Sequence, residues 1–202
     1  LSPDTDYRYF RQSYDWASGY RSDDPTIMGF SHTHFSGTGH SDLGDVLLTP
    51  ISGEVRWDVG DADQPGSGYR SRYDKTSERA EPGYYAVRLT DNAVEAELTA
   101  GVRTGVHRYR FAEGQPARVL LDLRHSIYDY PGKVLWSRIR VHPDGTVTGF
   151  RETRGWAPGR QLYFAIRFSQ PVVGYELRNR EEDIPYNGFR QPGRDGTDRA
   201  RM

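Results

Sequence analysis

The chain of 202 residues contains no cysteine. This absence excludes disulfide bonds, cysteine-ligated zinc and a cysteine nucleophile. The sequence has no apolar run of about 18 residues, so it predicts no transmembrane helix. An excess of one charge is also missing, because 27 basic residues balance 28 acidic ones. Such a balance creates no field that attracts nucleic acid or an acidic membrane, and we predict neither partner.

A helical hydrophobic period is absent as well, since no window of about 12 residues sustains one. Residues 94–99 and 104–111 instead alternate with period two, as half-buried strands do. Residues 118–123 are more continuously apolar than these strands and predict a central strand. Residues 136–151 predict a hairpin around Pro-Asp-Gly. Short strands separated by frequent turns predict an all-β fold, an antiparallel β-sandwich.

Punctuating residues set the expected limits of the less regular segments. We expect Pro50 to stop the strand that begins at Asp45, and residues 53–59 to form the next strand. Residues 75–83 are polar and predict a turn at Pro-Gly. Residues 178–202 are rich in charge, Gly and Pro. We therefore divide the chain into a sandwich domain over 1–177 and a polar surface segment or frayed end over 178–202.

The most unusual stretch is GFSHTHFSGTGHSDLGDVLLTP at residues 29–50. It holds three of the six histidines and four glycines, together with many Ser and Thr hydroxyls. Such residues favour turns over helix or strand interiors. Ordering a long polar loop costs conformational entropy, so the stretch predicts a functional loop.

The histidines and glycines of this stretch allow several interpretations. His32 and His34 are spaced i, i+2, which on one strand face would suit a metal. Alternatively, one His bonds a backbone carbonyl to fix the loop, or the pair contacts a sugar or another domain. The run 36–39 (Ser-Gly-Thr-Gly) could cradle a phosphate, but it lacks the Lys and helix of a P-loop. A tight turn that approaches a sugar is the better interpretation.

Two carboxylates and two tryptophans are further candidates. Asp42 and Asp45 could be the acid and base of glycoside hydrolysis, which stand ~6.5–9.5 Å apart in inverting enzymes, or they could cap turns. Trp16 could stack on the apolar face of a pyranose or lie in the core, and Trp156 is similar. By contrast, the regular strand 104–111 places His107 and Tyr109 most simply in the core.

Several segments together resemble the amino-terminal domain of glycoside hydrolase family 92, the exo-acting α-mannosidases. They are residues 29–50, VEAELTAGVRTGVHRYRF (94–111), LLDLRH (120–125), GFRETRGWA (149–157), LYFAIRFSQP (162–171) and the Trp-containing Ser-Gly-Tyr loop at 15–20. The resemblance implies a sandwich of the galactose-mutarotase-like supersandwich type, followed by a catalytic (α/α) barrel that this chain does not contain. The family has further strands before and after, so the chain resembles an incomplete piece of the domain.

The resemblance also implies a function. The whole protein would be an inverting, calcium-dependent exo-α-mannosidase that acts on mannose-containing glycans, secreted or periplasmic. Its general acid, its general base and most calcium ligands would lie in the barrel. The expected partners of this chain are therefore a mannose-containing glycan and the barrel domain of the same protein. This piece alone would be inactive, with no catalytic or metal-binding residue. Its loops would contact substrate through Asp15, Trp16, His32, His34, Ser36 and Gly37.

Two other hypotheses about the function of this chain stay open. A free-standing carbohydrate-binding sandwich would bind mannosides by itself. A purely structural domain would affect stability and not kinetics. The chain begins Leu-Ser-Pro without an initiator Met, so we expect a mature or excised piece.

Overall fold

A computed structural model describes residues 22, 24–34, 43–126, 132–155 and 157–178, and the backbone of 199–201. This part of the chain forms strands and no helix, so none of it is a helix that could cross a membrane. The strands are β1 (Thr26–Ile27), β2 (Phe30–His32), β3 (Asp45–Ser52), β4 (Ser71–Glu81), β5 (Tyr84–Leu89), β6 (Val94–Ala100), β7 (Gly105–Phe111), β8 (Ala117–Asp122), β9 (Val134–Val141), β10 (Val147–Thr153), β11 (Arg160–Ile166), β12 (Glu176–Arg178) and β13 (Arg199–Arg201).

The strands build three sheets, and every pairing between them is antiparallel. Sheet 1 has the order β1-β4-β5-β6-β7, sheet 2 the order β12-β13-β8-β3-β2, and sheet 3 the order β11-β10-β9. The predicted all-β, antiparallel sandwich is confirmed. The prediction of a central strand at 118–123 is also confirmed, because β8 lies between β13 and β3.

Sheet 2 carries apolar side chains on both faces. One face, with Val46 and Leu121, packs against Ile139 and Val147 of sheet 3. The other face, with Leu47, belongs to a cluster completed by residues outside the strands. Because both faces are covered, β3 and the end of β8 are continuously buried, unlike the alternating strands. Sheet 1 packs in turn against Phe30 of β2 through Ile27, Val87 and Leu89 of its own strands.

Pro50 does not end its strand, contrary to the sequence-based expectation. Ser52 donates its N–H to the Asn92 carbonyl, on the side of β3 that faces away from β8. Backbone nitrogens two residues apart in a strand point to the same side, so the nitrogen of Pro50 also faces away from β8. That side belongs to β2, whose pairing with β3 reaches only as far as Leu48. Since no strand among the described residues pairs with Pro50 on that side, the missing N–H removes no ladder hydrogen bond there.

A second segment differs from its prediction, and a third contains a strand that was not predicted. Residues 53–59 are not a strand, because Gly53 has φ +102° and turns the chain away after Ser52. Val55 is nevertheless buried, and it helps to cover sheet 2 as part of a loop. The predicted turn at Pro-Gly is confirmed between β4 and β5, and the polar residues 75–81 before it belong to β4, although they lack apolar alternation. This end of the hairpin is largely exposed, so backbone pairing with β5 rather than core burial defines it as a strand.

The described parts of the polar segment 178–202 lie in sheet 2. Arg178 ends β12, and Arg199–Arg201 forms β13, which pairs with both β12 and β8. These three residues are therefore paired on both sides. The placement of a domain boundary near 177 stays a prediction.

Gly29 is required by the close approach of two segments of the Gly-rich stretch. Its φ is +158°, and a Cβ there would lie 2.3 Å from Thr49 Oγ1 and 2.8 Å from the Leu48 carbonyl oxygen. Thr49 Oγ1 donates to the Met28 carbonyl at 2.7 Å, which holds the two segments together. The glycine thus fixes how β2 enters its pairing with β3.

Gly29→Ala should destabilise the domain by about 2–4 kcal/mol, because the methyl group overlaps backbone and must also adopt an unfavourable φ. Urea denaturation followed by tryptophan fluorescence measures the change. Gly83→Ala is the matched control: Gly83 also has positive φ, at +78°, but an added Cβ there meets nothing within 4 Å. If both variants lose equal stability, steric overlap at Gly29 is not the cause.

Candidate functional site

Three connections open at the same end of the sandwich, which we call the loop end. Thr153, the last residue of β10, pairs with the first residues of both β9 and β11. In sheet 2, Asp122 at the end of β8 pairs with Leu47 near the start of β3. The connections 33–44, 123–133 and 154–159 therefore all begin and end here. Strands of an antiparallel sandwich bring such segments together although they are far apart in sequence.

Asp45 lies at the centre of the loop end and is fully buried. Its carboxylate accepts hydrogen bonds from Thr33 Oγ1 at 2.5 Å and from Arg160 Nη2 at 2.8 and 2.9 Å. The guanidinium of Arg151, also fully buried, adds an ion pair at 3.4 Å. One carboxylate therefore joins β3 of sheet 2 to both β10 and β11 of sheet 3.

Asp45 is consequently unsuited to general acid–base work. Burial raises the pKa of its carboxyl, but the charge of Arg151 and the hydrogen bonds from Arg160 and Thr33 outweigh burial, and the net pKa is lowered. The group stays ionised and its oxygens are occupied by structural partners. Asp42, the other member of the hypothetical catalytic pair, lies outside the described residues.

Two residues at or near the ends of the 33–44 connection have unusual backbone conformations. Thr33 and Val46 both have positive φ, at 61° and 54°. Both are β-branched, and such residues rarely adopt this conformation. Two contacts hold them there: the bond from Thr33 to Asp45 and a bond from His32 Nδ1 to the Val46 carbonyl at 2.9 Å. Backbone strain of this kind concentrates at functional sites, where the surroundings maintain it.

His32 packs inside the domain. Because its Nδ1–H donates to Val46, the ring is fixed, and it stacks on His107 of β7 at 4.9 Å between centroids and 4° between planes. Phe30 and Tyr109 complete this aromatic cluster between sheets 2 and 1. This geometry matches the alternative in which one His bonds a carbonyl to fix the loop. A substrate role for His32 stays a prediction.

His34 is not on the same strand face as His32, because β2 ends at His32 and Thr33 turns the chain. His34 Nε2 lies 3.0 Å from Ser31 Oγ and 3.1 Å from the Ser31 carbonyl oxygen, and because a carbonyl oxygen only accepts, we assign the ring proton to Nε2. Its other nitrogen, Nδ1, is therefore an acceptor, and it is buried with no hydrogen-bond partner among the described residues. Chiefly because of burial, the pKa of His34 falls to about 4, so the ring is neutral near pH 7. A neutral, unsatisfied acceptor suits a hydroxyl group.

The remaining sequence candidates lie outside the described residues. They are Asp15, Trp16, Ser36 and Gly37, together with His40, Asp42 and Trp156. Their assignments stay predictions. The described residues on either side of the run 35–42 are His34 and Leu43, and the Gly44 N–H next to Leu43 donates to the Thr33 carbonyl at 2.8 Å.

The sequence analysis missed the buried polar groups beneath these connections. Arg151 donates to the His125 carbonyl at 2.5 Å and to Ser126 Oγ at 2.9 Å, in addition to its ion pair with Asp45. Lys133 is also buried, at 1% exposure. The sequence did indicate that Arg151 is buried. It lies four residues after Val147 on β10, and residues an even number of positions apart lie on the same face of a strand, here the face toward the core. A charged residue in that phase predicts a buried ion pair.

Comparisons with known proteins bear on this site. The family model described as the Glycosyl hydrolase family 92 N-terminal domain matches residues 1–197. A search of curated proteins found no match. Among solved structures, the family GH92 α-mannosidase BT3965 from Bacteroides thetaiotaomicron is 39% identical over 93% of this chain, with a TM-score of 0.79. The same enzyme has also been solved in complex with mannoimidazole.

More distant structures agree in fold. The GH92 family glycosyl hydrolase ccman5 is 27% identical over 92% of the chain, with a TM-score of 0.62. The inverting mannosidase BT2199 from Bacteroides thetaiotaomicron is 21% identical over 94%, with a TM-score of 0.58, which shows the fold alone. The fold is that of an amino-terminal domain of a glycoside hydrolase. The chain belongs to glycoside hydrolase family 92 and spans about a quarter of the length of these solved relatives.

Asp45→Asn should destabilise the domain by about 3–5 kcal/mol, because it leaves buried arginine charges without their carboxylate. Chemical denaturation measures the loss. Glu97→Gln is the control, since Glu97 pairs with the exposed Arg108 on the outside of sheet 1 and should matter far less. Equal losses in the two variants would contradict the structural role of the buried carboxylate.

The domain should lose stability as the pH falls from about 6.5 toward 4. Chiefly through burial, the pKa is lowered to about 4 for His34 and to about 3 for His107 and His125, and it is also lowered for His32. The unfolded chain therefore binds more protons in this window, and acid favours unfolding. Above pH 7 these histidines should add no pH dependence. Urea midpoints at pH 8, 7, 6, 5 and 4 test this expectation.

His107→Phe is the matched variant for the pH series, because phenylalanine keeps an aromatic ring beside His32 and Tyr109 but cannot bind a proton. Its stability should fall less steeply between pH 6.5 and 4 than that of the parent chain. An unchanged slope in this variant, or a flat profile in the parent, would show that buried histidines do not control acid stability.

Proposed function

We propose that this chain is the amino-terminal domain of an exo-acting α-mannosidase, and that its loop end completes a mannose pocket formed mainly by a separate barrel domain. The observation that carries the proposal is the 39% identity to the α-mannosidase BT3965 over 93% of this chain. A mannose-like inhibitor bound to that relative supports mannose-containing glycans as the substrate class. The substrate contacts that we propose are Asp15, Trp16, His32, His34, Ser36 and Gly37.

His34 has the most specific chemistry of the described candidates. Its Nδ1 is an acceptor without a partner there, next to Thr33 at the entrance to the loop. A sugar hydroxyl can donate to a neutral imidazole, and a buried acceptor gains by finding a donor. His32, by contrast, uses Nδ1 for Val46 and would act by holding the loop in place.

The reacting groups are proposed to lie in the barrel. Inversion requires one carboxylic acid to protonate the leaving oxygen and one carboxylate to activate water. Asp45 is unsuited to either role, because its pKa is lowered and arginines and a threonine occupy its oxygens. The contribution of this domain is then to bind and orient the mannoside.

Calcium is proposed as the cofactor of the whole enzyme, as the family resemblance implies. The described residues contain no group of three or more His, Asp or Glu side chains that could hold a metal ion. They therefore do not fit a calcium site by themselves, and we derive no step through calcium. Secretion or export to the periplasm is proposed on the same family grounds, since glycan substrates are extracellular.

Mannose release by the natural protein that carries this chain tests the function. Purified protein should liberate mannose from α-linked mannobiose, and NMR should detect the inverted anomer first. The 202-residue chain alone should release none. If the natural protein releases no mannose while the chain alone binds mannosides, a free-standing carbohydrate-binding module is the better description.

His34→Ala in the natural protein should raise KM for α-mannobiose by about five- to tenfold, the equivalent of one hydrogen bond of roughly 1 kcal/mol. Thermal stability should change little. The matched control is His107→Phe, another buried histidine, which should leave KM unchanged. Equal KM values for His34→Ala and the parent would remove His34 from the substrate contacts.

A further inference from the structure

The outer face of sheet 3 differs from the outer faces of ordinary solvated strands. Residues Ile139, Val147 and Leu162 point toward the core, so the alternate residues point outward. The outward set includes three aromatic side chains, Trp136, Phe150 and Tyr163. Tyr163 is 71% exposed, and the other two are half-buried.

Strand register places these aromatics close together. Phe150 pairs directly with both Tyr163 and Arg138, so these three side chains form one row across the sheet. With strands about 4.8 Å apart, the row is about 10 Å wide. The rings of Phe150 and Tyr163 are 5.7 Å apart between centroids, with 32° between their planes. The row is thus comparable in width to one or two pyranose rings.

Polar groups flank the aromatics. In the next row, Trp136 pairs with Glu152, which pairs with Gln161. Gln161 Nε2 donates to Glu152 at 3.2 Å, and the hydroxyl of Tyr163 donates to Gln161 Oε1 at 3.0 Å. Arg138 is exposed and forms no ion pair with another described residue. The face therefore offers apolar surface with hydrogen-bonding groups immediately beside it.

This combination suits a sugar better than a protein partner. A pyranose has an apolar C–H face and a rim of hydroxyl groups that donate and accept hydrogen bonds. Aromatic rings pack against the C–H face, and Arg, Glu and Gln side chains form hydrogen bonds with the hydroxyl groups. Aromatic residues and arginine are common in protein–protein interfaces too, but glutamate is depleted there, and here Glu152 pairs directly with Trp136.

The face also begins at the loop end. Gln161 follows Arg160, which holds Asp45, and Tyr163 is three residues from Arg160 along β11. At the rise of a strand, this separation is about 10 Å. A glycan whose terminal sugar lies at the loop end could therefore continue over the edge of sheet 3.

We propose that the outer face of sheet 3, centred on Trp136, Phe150 and Tyr163, binds the neutral sugar chain of a glycan outside the pocket of the proposed function. The proposal rests on the proposed function for the choice of mannose as the sugar. It adds a surface for the part of the glycan that is not cleaved, so that longer chains bind more tightly.

The experiment titrates the 202-residue chain with α-linked mannose, mannobiose, mannotriose and mannotetraose, followed by NMR shifts of backbone amides. Affinity should rise with chain length, and the largest shifts should fall on β10 and β11. Tyr163→Ala should weaken tetraose binding about tenfold, and Tyr163→Phe should keep most of it because the ring remains. Tyr175→Ala is the control, since Tyr175 is 55% exposed outside the strands.

Three outcomes would overturn the proposal. One is the absence of saturable tetraose binding up to about 10 mM, the millimolar limit of weak recognition. Another is equal tetraose affinity in Tyr163→Ala and the parent. The third is a parent dimer in analytical ultracentrifugation that Tyr163→Ala converts to monomer, because the face would then bind a second copy.

The results separate this proposal from the proposed function. If the natural protein releases no mannose but tetraose binding still depends on Tyr163, the sugar-binding face stands and the mannosidase assignment fails. If mannose is released and Tyr163→Ala binds tetraose as the parent does, the assignment stands and the face is not a sugar site.

Discussion

A buried carboxylate joins the parts of this domain. Asp45 lies on β3 of sheet 2, and the two guanidinium groups that it binds come from β10 and β11 of sheet 3. Charges removed from water must be paired, because an isolated buried charge is strongly unfavourable. Sheets 2 and 3 therefore have to pack at the distance and orientation that allow both guanidinium groups to reach Asp45. The geometry of the loop end follows from this packing.

The same interaction connects packing to function. Thr33 uses its side chain to bond Asp45, and this bond holds its backbone in a conformation that a β-branched residue rarely adopts. The next residue, His34, carries a buried acceptor with no partner among the described residues. An ion pair thus stabilises a strained turn, and the turn presents a neutral imidazole. This chain of contacts connects the buried ion pair to the histidine that we propose as a substrate contact.

Prediction from sequence worked where one local pattern governs the structure. Alternation identified β6 and β7, and continuous apolar character identified β8 as central. Prediction was wrong, or identified no element, where a neighbouring strand decides the structure. Pro50 continues its strand because β2 no longer pairs there, and residues 75–81 form a strand through pairing with β5 despite their polar composition. Neither partner can be recognised from the segment itself, because strand pairing is a property of two segments.

The amino-acid sequence by itself determined the all-β class, the family and the position of the Gly-rich loop, because periodicity and motif order are local properties. Only the tertiary structure decided what the polar residues do. Asp45 and Arg160 are 115 residues apart in the chain, and His32 stacks on His107 from a different sheet. The aromatic row on sheet 3 likewise depends on the register of β9, β10 and β11. Such contacts depend on which strands become neighbours, and this topology minimises the free energy of the whole domain rather than of any one segment.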